Sequence, residues 1–287
     1  MKKFSGVGVA LVTPFDETGR VDEHSLRNLV NYVIDGGVDY LVALGTTSEA
    51  ATMTADERAF VVQVIAEENA GRLPIVLGIG GNNTAQVIHD LATLSYLRLG
   101  DAILSVTPYY NKPSQQGLYN HFKAIAEHAP LPVILYNVPG RTSVNMTAAI
   151  TLKLARDFEN IIAIKEASGN FEQATAIISG MPENFIFLSG DDGIALPLVS
   201  IGASGVISVI ANVMPSEFST MLHLALEGEY GEARQLGEMF KALFEEGNPA
   251  GIKAALHTRG VIACQKLRSP LCEVSETLYQ KIKRLGE

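Results

Sequence analysis

Eight short apolar runs recur at near-even spacing through the first two thirds of this 287-residue chain, and that rhythm constrains its fold more than any other feature. They are Val7–Val12, Tyr40–Leu44, Pro74–Gly78, Ala102–Val106, Val133–Tyr136, Ile161–Lys165, Phe185–Leu188 and Gly205–Val209. None alternates strictly between apolar and polar residues. Such runs suit strands buried on both faces, as parallel strands are when crossover helices cover them.

The segments between the runs have helical periodicity. Leu26, Leu29, Val30 and Val33 mark one apolar face that begins after Asp22. Phe60, Val61, Val64 and Ile65 mark another, and the preceding Thr54-Ala-Asp-Glu57 has the form of a capping box. Eight strand–helix units closing on themselves predict an α/β fold, a (β/α)₈ TIM barrel over residues 1–225 whose active site lies at the C-terminal strand ends. The competing architecture is an open doubly wound sheet. Against it, no G-x-G-x-x-G follows an early strand with an acidic residue at the right distance, and Gly78-Ile-Gly80-Gly81 is too short a match. Beyond the eighth run, helical patterns near Pro215–Gly228, Tyr230–Glu246, Pro249–Arg259 and Ser275–Arg284 exceed the single helix needed to close a barrel. Residues 226–287 are therefore expected to form a C-terminal helical segment packed on it.

Charge and cysteine content exclude several function classes. Twenty-two Lys and Arg stand against 31 Asp and Glu, a formal net charge of -9, with no basic run longer than KIKR near the C-terminus. Phosphate binding needs a concentrated positive patch, so a nucleic-acid partner is not expected. A small anionic substrate would need a local site of backbone amides or a placed arginine. Cys264 and Cys272, the only cysteines, are two buried thiols or a bridge and form no metal-ligand cluster. The apolar stretch after the N-terminal lysines is cut short by Pro14 and Asp16, and no stretch approaches the roughly 20 apolar residues of a membrane span. A cytoplasmic protein without metal or cofactor is expected.

In a barrel, the polar residues that end the strands converge on one mouth. Lys165 ends the run Ile-Ile-Ala-Ile and should point into that mouth with little water around it. Desolvation disfavours an ammonium there and leaves an amine able to attack a ketone; the resulting iminium is an electron sink. The alternative is an ion pair between Lys165 and Glu166. Tyr136 precedes Lys165 by about one βα unit, so its hydroxyl could exchange protons with the same intermediate, unless it is a core tyrosine. Thr46 and Thr47 offer hydroxyls and successive N–H groups to a small carboxylate, or else cap their own loop. Arg141 follows a proline–glycine loop and could grip a second carboxylate through paired hydrogen bonds, or lie solvated. Gly190 and Gly205 are expected to admit backbone close to the pocket. Ser189, Asp191 and Asp192 are read as loop-organising rather than metal-binding. The six histidines, which fall mainly in predicted helices, are given no chemistry.

Four motifs, LGTTSEAATMT at 44–54, TPYYNKP at 107–113, YNVPGRT at 136–142 and IKEASG at 164–169, stand in the order and spacing of a known family. From Phe4 to the final helix the chain resembles the pyruvate-dependent class I aldolases, the family that includes dihydrodipicolinate synthase and N-acetylneuraminate lyase. The resemblance implies that Lys165 forms a Schiff base with pyruvate and that Tyr136 transfers protons. It places Thr46, Thr47, Gly190 and Ile207 around the pyruvate, with Thr47 relaying between Tyr136 and a Tyr110 supplied by the neighbouring subunit of a homodimer or homotetramer. Arg141 matches the branch that uses L-aspartate-4-semialdehyde as acceptor; branches acting on sialate or other sugar acids usually have another residue there. Ser48 departs from the family's usual glycine. An inhibitory lysine cleft would involve Ala51, Ala55, Arg58, Asn82, Gln86 and Tyr109. Ala55, Arg58 and Gln86 stand there in place of two histidines and a glutamate, so feedback inhibition by L-lysine is expected to be weak or absent.

Overall fold

The computed structural model describes residues 3–236 and 247–284. All eight runs are strands: β1 Gly6–Ala10, β2 Tyr40–Ala43, β3 Ile75–Gly78, β4 Ala102–Val106, β5 Val133–Asn137, β6 Ile161–Glu166, β7 Ile186–Ser189 and β8 Gly205–Ser208. They pair in parallel in sequence order, and β8 returns to β1 to close the barrel. The chain is a (β/α)₈ barrel, not an open sheet.

Alternation along each strand separates two cores. Val7, Leu41, Leu77, Ile103, Leu135 and Phe187 face outward onto the helices. Ala10, Val42, Val76, Leu104, Ile134, Ala163, Leu188 and Ile207 fill the interior. Tyr40 has no exposed surface and its ring occupies the place that a Cβ on Gly8 would need, while Phe4 packs edge-on to it at 5.7 Å. These two aromatics fill the barrel beside its N-terminal end. The barrel interior is therefore filled at that end, and a separate cavity of about 330 Å³ beside it lies outside the barrel, between Lys3, Arg72, Pro74 and Asp101.

Helix caps follow the sequence closely. The Asp22 side chain accepts from Ser25 N and begins the helix Glu23–Asp35. Thr54 and Glu57 form the reciprocal capping box of the helix Ala55–Asn69. That helix buries Val61, Val62, Val64 and Ile65. Phe60, expected on its apolar face, instead lies 42% exposed, because at 100° per residue the buried stripe centres on the far side of Val61.

Gly205 also differs from expectation. It begins β8, at the end of the barrel remote from the mouth, and a Cβ there would stand 2.1 Å from Gly6 O. Its small size serves the approach of β1, not the pocket.

After β8 come helices Pro215–Leu226, Tyr230–Leu236, Ala250–Thr258 and Glu276–Arg284. The remainder of the helical pattern expected over 230–246 lies outside the described residues. The C-terminal segment reaches back over the mouth through Asn248, Lys253 and Arg268. Cys264 is buried and Cys272 exposed; both are free thiols, so neither a bridge nor a pair of buried thiols is present. No helix among the described residues is long and apolar enough to cross a membrane.

Candidate active site

The C-terminal strand ends open into a cavity of about 450 Å³. Its wall includes Thr46, Tyr109, Tyr136 and Arg141, together with Ala51 and Arg58. It also includes backbone around Gly78 and Gly80. A side chain on Gly78 would meet Leu44 O at 2.2 Å, so the β2–β3 rim is closed by backbone alone.

Lys165 and Tyr136 are register partners on β6 and β5. Past an irregularity in the β5–β6 pairing near Val133 and Ile134, the register sets Tyr136 opposite Lys165, so both side chains share the inner face. Lys165 is 5% exposed, and its Nζ lies 4.3 Å from the centre of the Tyr136 ring.

The suggested ion pair between Lys165 and Glu166 does not form, because neighbouring residues on a strand point to opposite faces. The Glu166 carboxylate accepts instead from Asn137 Nδ2 and Gln173 Nε2, both at 2.9 Å, and from Ser168 N at 2.6 Å. Among the described residues, no carboxylate stands within ion-pairing distance of Lys165.

The turn after β2 brings a second set of groups. Gly45 precedes a single 3₁₀ turn, Thr46–Ser48, that leaves Thr46 exposed and Thr47 buried. Ser48, which departs from the family glycine, fits without cost: its hydroxyl donates to Gly45 O at 2.7 Å. Thr47 Oγ1 accepts from Asn248 Nδ2 at 3.0 Å. Arg141 lies in the short helix Pro139–Thr142 directly after β5, exposed at the cavity wall.

Gly190 N donates to Glu166 O at 2.7 Å, and a Cβ on Gly190 would strike that of Ala167, so it keeps β7 close to the end of the lysine strand. Ile207 points inward and is buried. Ser189, Asp191 and Asp192 organise their loop as expected: Asp191 Oδ1 accepts from Gly193 N, and Asp192 Oδ2 accepts from Val209 N and Ile210 N. Among the described residues no group of three or more His, Cys, Asp or Glu is placed to hold a metal ion.

Tyr110 stands outside this cavity, 89% exposed with φ +73. Leu44, Glu49, Lys112 and Ser143 also have positive φ, so the loops after β2, β4 and β5 hold five of the six such non-glycine residues among those described. Each costs roughly 1–2 kcal/mol, and backbone held at that cost is concentrated around the mouth.

Within the expected lysine cleft, Ala51, Arg58 and Tyr109 line the same cavity as Tyr136. Asn82 Nδ2 donates to Tyr109 O at 3.0 Å. Gln86 spends its amide on Asp90, and Ala55 is an exposed first residue of its helix.

Sequence reasoning missed the contribution of the C-terminal segment to the mouth, namely Asn248, Pro270 and Leu271. The Asn-Pro pair at 248–249 could have marked a shaped loop, but nothing local shows that it meets Thr47.

The family model for the dihydrodipicolinate synthetase family matches residues 3–286. The chain belongs to that family. Relatives named 4-hydroxy-tetrahydrodipicolinate synthase include one from Azobacteroides pseudotrichonymphae, 53% identical over 97% of this chain and 95% of its own. Another, from Parabacteroides distasonis, is 52% identical over 98% and 95%. Among solved structures, the dihydrodipicolinate synthase of Aquifex aeolicus superposes with TM-score 0.93 at 40% identity, covering 98% of this chain and 97% of that one. A structure described as the first monomeric dihydrodipicolinate synthase variant superposes with TM-score 0.94 at 36% identity, covering 99% and 96%.

Proposed function

We propose that the chain is a Schiff-base-forming lyase that condenses pyruvate with L-aspartate-4-semialdehyde to 4-hydroxy-tetrahydrodipicolinate, at the entry to diaminopimelate and lysine synthesis. The observation that carries this reading is the inward, buried Lys165, which has no described acid partner and lies against Tyr136, itself part of the wall of a cavity shared with Thr46 and Arg141.

The Lys165 amine adds to the pyruvate ketone, and the carbinolamine loses water to give an iminium, with protons passed by the Tyr136 hydroxyl. Thr46 and Thr47 supply donors to the pyruvate carboxylate. A methyl proton then leaves, and the enamine forms the new carbon–carbon bond by attack on the aldehyde of the second substrate. The amine of that substrate attacks the iminium carbon, closing the ring and releasing Lys165 as a free amine. Arg141 holds the semialdehyde carboxylate through two parallel bonds. Gly190 and Ile207 shape the pyruvate end of the site.

Tyr110 is assigned to a neighbouring subunit. Its 89% exposure outside its own cavity supports this reading, in which a tight dimer, alone or paired into a tetramer, carries it into the partner's mouth. L-Lysine inhibits weakly or not at all, because Arg58 puts a cation where a dibasic ligand would have to settle. A cytoplasmic location accords with this biosynthetic role.

The second reading, cleavage of sialate or a 2-keto-3-deoxy sugar acid, is disfavoured by Arg141 at the wall of the cavity. A two-substrate screen decides between them. Product from pyruvate and the semialdehyde, with no pyruvate released from sugar acids, supports the synthase; the opposite pattern overturns it.

A further inference from the structure

The C-terminal segment is joined to the threonine turn at three points. Asn248 Nδ2 donates to Thr47 Oγ1 at 3.0 Å, Lys253 Nζ pairs with Glu49 Oε1 at 2.6 Å, and Arg268 N donates to Glu49 Oε2 at 2.9 Å. The two charged contacts anchor the loop. Asn248 has a different character: it lines the cavity, its Oδ1 is buried without a partner, and its amide makes no other side-chain hydrogen bond among the described residues.

A hydroxyl has one proton to give and two lone pairs. The N–H of Asn248 occupies one lone pair of Thr47 Oγ1, leaving one donor and one acceptor. One bond in and one bond out is what a hydroxyl needs to pass a proton between two other groups. An acceptor in the place of Asn248 Nδ2 would instead capture the single Thr47 proton and end the relay.

We infer that Asn248 is a positioning residue that sets the direction of the Thr47 hydroxyl, so that Thr47 can accept a proton on one side and donate on the other. This rests on the reading of Thr47 as a proton-passing group in the proposed reaction. Asn248 acts through Thr47; no contact of its own with substrate is required.

The test compares the wild-type full-length chain with Asn248→Asp, Asn248→Ala and Asn248→Leu. The readouts are kcat and KM for each substrate, exchange of pyruvate methyl protons in D₂O by NMR, and melting temperature. In Asn248→Asp, kcat and methyl exchange are expected to fall together by about ten- to a hundredfold, a part of what a placed acid–base group contributes. KM for pyruvate should change less than about threefold, since the threonine N–H groups remain. Asn248→Ala should lose less than Asn248→Asp, because water can donate in place of the amide.

The activity of Asn248→Asp relative to wild type should also recover as pH falls and the introduced carboxyl gains a proton to donate. A purely structural role gives no such recovery. Equal losses in Asn248→Asp and Asn248→Ala with a ratio independent of pH, or unchanged exchange in both, overturn the inference. If Asn248→Asp does not fold, Asn248→Leu carries the test: it removes the donor at similar volume, and exchange at the wild-type rate overturns the proposal. If the wild type itself neither exchanges methyl protons nor is trapped on Lys165, the proposed reaction fails, whatever Asn248 does.

Discussion

Replacing Lys253 by methionine should cost more stability than any other single change at the mouth. Lys253 and Glu49 have no exposed side-chain surface and pair at 2.6 Å; Lys253 Nζ also donates to Lys266 O and lies 4.1 Å from the centre of the Phe15 ring. Removing one partner of a buried pair leaves an uncompensated charge and costs about 3–5 kcal/mol. At roughly 2–4 °C per kcal/mol for a chain of this size, the melting temperature of Lys253→Met should fall by about 6–20 °C, and Glu49→Gln should act in the same direction. The double variant buries neither charge, so its loss should be smaller than the sum of the two by at least about 2 kcal/mol. Burial outweighs the attraction of Glu49 and pulls the lysine down from 10.5 to about 8. Between those values the unfolded chain binds more protons than the folded one. The wild type should therefore gain stability relative to Lys253→Met as pH rises through that window. Thermal and urea unfolding of the four proteins complete the cycle. Single variants that melt within about 2 °C of wild type, or strictly additive losses, would refute the reasoning.

Other outcomes follow from the same geometry. Tyr136→Phe keeps the packing against Lys165 but removes the hydroxyl, and kcat should fall by about 10²–10⁴-fold with the melting temperature little changed. Arg141→Ala should raise KM for the semialdehyde at least about tenfold while leaving pyruvate KM within about twofold, as measured by steady-state kinetics. Low concentrations of L-lysine should leave turnover largely unaffected; potent inhibition in the same assay counts against the part given to Arg58. His223 Nε2 donates to Asp39 Oδ2 at 2.7 Å, and that contact raises its pKa above the ordinary 6.5. The charged pair therefore stabilises the fold fully below about 6.5 and loses its contribution as pH rises through the higher folded value. The melting-temperature advantage of wild type over His223→Gln should shrink across that rise.

Wherever the deciding physics is local, the sequence was legible. Burial on both faces leaves continuous apolar runs, and all eight marked strands. Asp22 and the Thr54–Glu57 box announce their helices because a cap involves residues three apart. The lysine and tyrosine could be placed together because each ends a strand one unit from the other. What stayed hidden depends on chain reversal at long range. Asn248 meets Thr47 across 201 positions, and Lys253 meets Glu49 across a similar span. Gly205 is required by the backbone of β1, which no local pattern reports. Phe60 fitted an apolar stripe but faces out, since a helical period fixes spacing more firmly than it fixes which edge of the stripe is covered. The roles of Thr47 and Tyr110 as a relay came from family resemblance; spacing alone would have left a capped turn and an exposed tyrosine.

The proposed reaction begins with covalent capture of the keto acid by one amine. Borohydride reduction in the presence of pyruvate, followed by intact mass and peptide mapping, should show one pyruvate-derived adduct per chain on the peptide containing Lys165. Lys165→Ala should show neither adduct nor turnover. An unmodified Lys165 peptide, or full activity in Lys165→Ala, would contradict the mechanism.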